Sequence, residues 1–85
     1  MKVRVLFFAS LREQIGRVGE ELELPESVST VAALRAHLVA RGGAWGAALA
    51  DARRLRAAVN QDMAPPETTL RAGDEVAFFP PVTGG

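Results

Sequence analysis

Residues 1–9 read MKVRVLFFA, and the rest of the chain is interpreted outward from this stretch. Apolar β-branched and aromatic side chains alternate here with Lys2 and Arg4, a period of two that predicts a β-strand. Leu6 and Phe8 make the second face of the strand apolar as well. We therefore expect an interior strand of a sheet, with something covering each of its faces.

The same two periodicities define the other elements. Val31, Leu34 and Leu38 fall at i, i+3 and i+7 of a helix that Ser29 or Thr30 can cap. The predicted order is a strand at 1–9, a helical turn at 10–16, a strand at 20–24, the main helix from 31 to 42, a short helix at 45–52, strands at 55–60 and 75–79, and a brief pairing at 63–64. This order predicts an α+β fold of the β-grasp type, a mixed sheet packed on one main helix with short extra helices.

Strand alternation divides the apolar residues of the sheet between two faces. The set expected under the main helix is Val3, Val5, Phe7, Leu55, Ala57, Val59, Val76 and Phe78. The opposite parity gives a candidate partner interface of Phe8, Met63, Ala77 and Phe79, with Ala58 among them. The alternative is that the segments at 11–15 or 45–49 cover this second face.

Composition excludes several kinds of function. Ten Lys plus Arg balance ten Asp plus Glu, so bulk charge favours neither nucleic acid nor an anionic membrane as a partner. Without cysteine, and with His37 alone, we expect no metal site, no bound cofactor and no thiolate chemistry. No residue pattern forms a catalytic constellation, so a stand-alone enzyme is not expected.

Location and surface charge are read from two further patterns. No apolar run approaches the roughly 20 residues of a membrane span, and no signal-peptide core is visible, so the expected location is the cytoplasm. Arg53, Arg54 and Arg56 form a small basic cluster. We interpret it as a solvated edge, with an acidic surface of a partner as the alternative.

The last six residues, 80–85, form a predicted extended tail beyond a domain at 1–79. Two prolines at its start fix φ and hold the chain extended. Six extended residues span roughly 20 Å, which is far enough to enter the active site of a partner. The two glycines at the tip suit a narrow channel, because they have no Cβ atom to obstruct it. The reacting group would be the terminal carboxylate, which is ionised at neutral pH and needs activation, for example as an acyl-adenylate. The tail residues are Pro80, Pro81, Val82, Thr83 and Gly84, and the candidate reactive residue is Gly85.

The run GDEVAFFPPVTGG at 73–85, with VLFFA at 5–9 and AAVNQ at 57–61, resembles the family of molybdopterin synthase small subunits. The resemblance implies a ubiquitin-like β-grasp sulfur carrier. Its terminal glycine, Gly85, would be adenylated with ATP by a ubiquitin-activating-enzyme-like adenylyltransferase and converted by a sulfur donor protein into a thiocarboxylate. The large synthase subunit would then pass this sulfur to a cyclic pyranopterin precursor of the molybdenum cofactor.

In that family the small subunit donates sulfur without itself being catalytic, and two small and two large subunits form a heterotetramer. Two alternatives stay open. One is a sulfur carrier for thiamine or tRNA thiolation, and the other is a ubiquitin-like modifier whose Gly85 is joined to lysines of target proteins. The sulfur carriers of those other pathways also end in Gly-Gly. A purely structural interaction domain would leave the diglycine tail unexplained.

Overall fold

The computed structural model describes residues 1–51 and 54–81. Every predicted element is present in these ranges, with ends that differ by a few residues. The elements are β1 (Lys2–Phe7), α1 (Ser10–Ile15), β2 (Gly19–Glu23), α2 (Val31–Val39), α3 (Gly43–Leu49), β3 (Arg56–Val59), β4 (Asp62–Met63) and β5 (Glu75–Phe79).

The strands form a mixed sheet in the order β2-β1-β5-β3-β4. β1 and β5, the first and last strands of the chain, lie side by side and run parallel, with Val5 opposite Val76 and Phe7 opposite Phe78. The other neighbours are antiparallel. This topology confirms the predicted β-grasp arrangement and the interior position of β1.

The main helix begins where its sequence predicts. The side-chain oxygen of Thr30 accepts a hydrogen bond from the backbone N–H of Ala33 at 3.1 Å, which satisfies one of the free donors of the first turn. α2 ends at Val39, earlier than expected, and Gly42 then takes a φ of 77°, which glycine adopts without steric cost. The chain turns there and continues directly into α3.

The core lies between the helices and one face of the sheet. Val5, Phe7 and Val76 of the central strands are completely buried, as are Leu34 and Leu38 of α2. The predicted inner set is therefore confirmed. Val59 differs from the others in the extent of its burial, since it is half-buried and packs at the border of the core.

The alternative in which the segments at 11–15 or 45–49 cover the second face of the sheet is wrong for the described residues. Leu11 of α1 and Leu49 of α3 belong to the same core as the main helix. Trp45 of α3 packs its ring edge-on against Phe7, with ring centroids 5.5 Å apart. Both short helices thus lie on the α2 side of the sheet, because their apolar side chains are used to close the core around Phe7.

Within the described ranges, none of the helices has both the length and the apolarity that crossing a membrane requires.

Two neighbouring phenylalanines test the division between the faces. Phe7 is 0% exposed and Phe8 is 39% exposed. Phe7→Ala should lower the free energy of unfolding by about 3–5 kcal/mol, because it leaves a cavity in the core. Phe8→Ala should leave the free energy of unfolding close to that of the wild type. Urea denaturation of the two variants checks this, and equal losses would contradict the assignment of faces.

Candidate functional site

An apolar patch occupies one half of the sheet face opposite the helices, which we call the outer face. Ala58 of β3 is the cross-strand partner of both Ala77 and Met63, and Leu6 of β1 is the partner of Ala77. Their neighbours along each strand point into the core, so these side chains share the outer face. The apolar patch consists of Leu6, Phe8, Ala58, Met63, Ala77 and Phe79.

Phe8 lies just beyond the end of β1. Its backbone N–H donates to the carbonyl of Phe78 at 3.2 Å, so the residue stays beside β5 after the ladder has ended. Arg12 places its guanidinium carbon 5.8 Å from the centre of the Phe8 ring, within the range of a cation–π contact. The chain turns away at Ala9, which has a φ of 54°, and Phe8 remains 39% exposed.

The other half of the outer face is charged. Lys2 lies opposite Glu23, and Arg4 lies opposite both Glu21 and Glu75. The N-terminal ammonium, through a hydrogen bond and its charge, holds the pKa of the Glu23 carboxyl below its usual value. The outer face is therefore divided along the strand direction, with charged side chains where β1 and β5 begin and apolar side chains where they end.

A hydrogen-bonded link fixes the start of β5 to the turn between β3 and β4. The backbone N–H of Asn60 donates to the Glu75 carbonyl at 2.8 Å, and the side-chain oxygen of Asn60 accepts from the Glu75 N–H at 3.0 Å. The Asn60 amide also donates to the Asp74 carboxylate at 2.9 Å, and that carboxylate accepts from the N–H of Arg71. This link sets the register of β5 and so the position of Phe79 at its far end.

Local sequence does not predict this link. Asn60 takes a φ of 50°, a left-handed conformation that asparagine tolerates better than most residues. An asparagine in one turn and an aspartate after the glycine of another were the available signals. Their pairing across 14 residues follows from the topology and from no local pattern.

The structure brings together the four residues of the candidate interface at the edge from which the predicted tail leaves. Met63 is 65% exposed, and Ala77 and Phe79 are half-buried. Pro80 and Pro81 follow β5 directly and are half-buried. The predicted tail residues Val82, Thr83, Gly84 and Gly85 lie outside the described residues, as does Arg53 of the basic cluster.

The mixed sheet, the main helix α2 packed on it and the strand that leads into a diglycine sequence define a ubiquitin-like β-grasp protein. The sequence model of the ThiS family matches residues 5–85. The chain is 48% identical to the molybdopterin synthase sulfur carrier subunit of Escherichia coli K12 and 45% identical to that of Haemophilus influenzae, in each case over 98% of this chain and 99% of the relative. The chain belongs to the ThiS family and, within it, to the molybdopterin synthase sulfur carrier subunits.

Solved structures have the same fold. SAMP1 from Haloferax volcanii is 26% identical, with a TM-score of 0.75 over the whole of both chains. A protein–protein complex of subunits 1 and 2 of molybdopterin-converting factor from Helicobacter pylori contains a chain that matches with a TM-score of 0.67 over the whole of both chains. That chain is 23% identical, so its likeness is one of fold.

Two substitutions at Asn60 separate its side-chain bonds from its backbone conformation. Asn60→Gly keeps the φ of 50° accessible and removes the bonds to Asp74 and to the Glu75 N–H. It should lower the free energy of unfolding by about 1–3 kcal/mol. Asn60→Ala should cost more, because alanine is also strained at this φ. Chemical denaturation measures both, and a glycine variant as stable as the wild type would show that the link does not hold β5.

Proposed function

We propose that this chain is the sulfur carrier subunit of molybdopterin synthase and that it carries sulfur as a thiocarboxylate on Gly85. The observation that carries the proposal is the 45–48% identity, over almost the full length, to subunits of that name. The position of the apolar patch beside Pro80 and Pro81 supports it. A partner that holds this patch is next to the start of the tail.

The proposed chemistry uses only the terminal carboxylate of this chain. A carboxylate oxygen of Gly85 attacks the α-phosphate of ATP on an adenylyltransferase, pyrophosphate leaves, and an acyl-adenylate forms. The outer sulfur of a persulfide on the donor protein then attacks the acyl carbon, and AMP leaves. A thiol of the donor cleaves the resulting acyl disulfide, which leaves a thiocarboxylate on Gly85 and a disulfide on the donor. In the synthase the thiocarboxylate sulfur adds to a carbon of the cyclic pyranopterin precursor, and water hydrolyses the thioester so formed, which returns the Gly85 carboxylate and leaves the sulfur on the product. The catalytic groups belong to the partners, so the chain is the sulfur-donating subunit of a sulfurtransferase complex with no activity of its own.

The proposed partners are the large synthase subunit, the activating adenylyltransferase and a sulfur donor protein. The Helicobacter pylori complex of subunits 1 and 2 supports the first of these. Two small and two large subunits would form the active heterotetramer in the cytoplasm. We assign the apolar patch to the contact with the large subunit, because the exposed Phe8 and Met63 side chains there lose their contact with water when a partner binds.

A second role is favoured by one observation. The fold matches that of a small archaeal modifier protein, SAMP1 of Haloferax volcanii. Activation of a terminal glycine serves a modifier as well as a sulfur carrier, since an acyl-adenylate can pass its acyl group to sulfur or to an amine. Covalent conjugates of this chain to lysines of other proteins would identify the modifier role, whereas a thiocarboxylate on the free chain identifies the sulfur carrier. A sulfur carrier for the synthesis of thiamine or of thiolated tRNA would form the same thiocarboxylate.

Removing Gly85 tests the site of chemistry. The shortened chain reaches about 3.5 Å less far and presents the Gly84 carboxylate out of position, a misplacement that can lower a rate about a hundredfold or more. Sulfur transfer to the precursor should be lost, while circular dichroism, the melting temperature and affinity for the large subunit stay close to the wild type. A truncated chain that still supports molybdopterin formation would contradict the proposal.

Phe79→Asp tests the docking surface. A carboxylate within the apolar patch should weaken binding to the large subunit by about 2–4 kcal/mol, the effect of losing an aromatic anchor. The control is Glu75→Gln, on the same strand and the same face but at its charged end, which should bind normally. Titration calorimetry measures both affinities, and circular dichroism checks that the variants fold. Unchanged binding by the Phe79 variant would remove the patch from the interface.

A further inference from the structure

A cavity of about 390 Å³ opens on the flank of the domain, between α2 and the β3–β4 edge of the sheet. Phe78 forms part of its base, Val31 and Ala32 line it from α2, and Ala57 and Ala64 line it from the sheet side. Its volume lies in the range of cavities that accept a large side chain or a small ligand. Nothing in the sulfur chemistry of the tail uses this cavity.

Two arginines also line the cavity. Arg35 donates from Nη1 to the carbonyls of Leu49 and Ala50 at 2.9 and 3.2 Å, so its guanidinium is held against the end of α3. Arg56 donates from Nη1 to the carbonyl of Leu55 at 3.2 Å. Among the described residues, no carboxylate forms an ion pair with either arginine. The cavity thus combines an apolar lining with two cations that have no acidic partner in residues 1–51 and 54–81.

The cavity is continuous with the apolar patch. Met63 belongs to the patch and also lines the cavity. Arg56 lines the cavity and is the cross-strand partner of Phe79, the last residue of β5 before the two prolines. The outer face and the cavity therefore form one surface that passes around the short edge strand β4. A protein that covers Phe79 and Met63 is already at the mouth of the cavity.

We propose that the cavity is a second docking site for the large synthase subunit, which inserts an apolar side chain there and places a neighbouring carboxylate against Arg35 and Arg56. The inference rests on the proposed function, because it needs the partner that holds the tail. The apolar lining selects the inserted side chain, and the two guanidinium groups, which have no acidic partner among the described residues, select the acid. Continuity with the patch selects the same partner that covers Phe79.

The first test fills the cavity without changing charge. Ala32→Leu adds a branched side chain to the cavity wall, and Ala36→Leu adds the same group one turn later on the exposed side of α2. Leucine is a good helix former, so both variants should fold. Ala32→Leu should weaken binding to the purified large subunit about tenfold or more, and Ala36→Leu should leave binding unchanged. Equal affinity of the Ala32 variant and the wild type would overturn the proposal.

The second test reverses charge. Arg56→Glu should slow association with the large subunit and reduce the dependence of the association rate on salt, because an attractive charge contact becomes repulsive. The control is Arg71→Glu, an exposed arginine that follows the edge strand by several residues and does not line the cavity. An equal effect of the two reversals would show that only net charge matters and would overturn the assignment.

The two tests also separate this inference from the proposed function. If the wild-type chain does not bind the large subunit, the proposed function fails. If the wild type binds and both cavity variants bind equally well, only the second docking site fails. If Ala32→Leu and Arg56→Glu weaken binding to the activating adenylyltransferase but not to the large subunit, the cavity serves the other partner and the assignment made here is wrong.

Discussion

The parallel pairing of β1 with β5 is the constraint on which the rest of the structure depends. It joins the two ends of the chain in the middle of the sheet and aligns Phe7 with Phe78 beneath the helices. Because parallel strands end at the same edge, it also brings Phe8 and Phe79, the residues that follow those core positions, to one place on the outer side. The two prolines leave from the same edge, so the tail begins beside the apolar patch.

Alternate residues of each strand face the core and the outer face, so one set stabilises the fold and the other is available for binding. In β5, Val76 and Phe78 are buried in the core, while Ala77 and Phe79 face outward. A register slip of one residue would exchange the two sets, which is why the start of the strand needs a fixed position. Asn60 and Asp74 provide it with hydrogen bonds that also close the adjoining turns. The exposed apolar side chains of the outer face are therefore not residues that the core needs.

The alternation of apolar residues along the strands, together with the order of the elements, is sufficient to predict the fold class, the inner set and every residue of the apolar patch except Leu6. The sides on which α1 and α3 pack could not be predicted, because each has too few apolar residues to define a face. Leu11 and Leu49 belong to the same core cluster as Phe7, so the sides on which their helices pack depend on contacts with the sheet. The cavity was also missed, since it depends on the spacing between α2 and an edge strand of two residues.

The surroundings of the basic cluster could not be predicted from the sequence either. The sequence predicts a solvated edge at Arg56, and the residue is exposed. Its position opposite Phe79 and beside an apolar cavity is a consequence of the β3–β5 register, which pairs residues 23 positions apart in the chain. The local sequence shows that such a residue is charged, whereas the strand order and register determine which residues lie beside it.

Intact-mass analysis after incubation with the activating enzyme, ATP and a sulfur donor tests the central claim most directly. If Gly85 is the sulfur-carrying residue, the chain gains the mass of one sulfur minus one oxygen, and fragmentation places the change on the terminal glycine. An unchanged mass in the presence of an active adenylyltransferase, or a sulfur located on any other residue, would contradict the account.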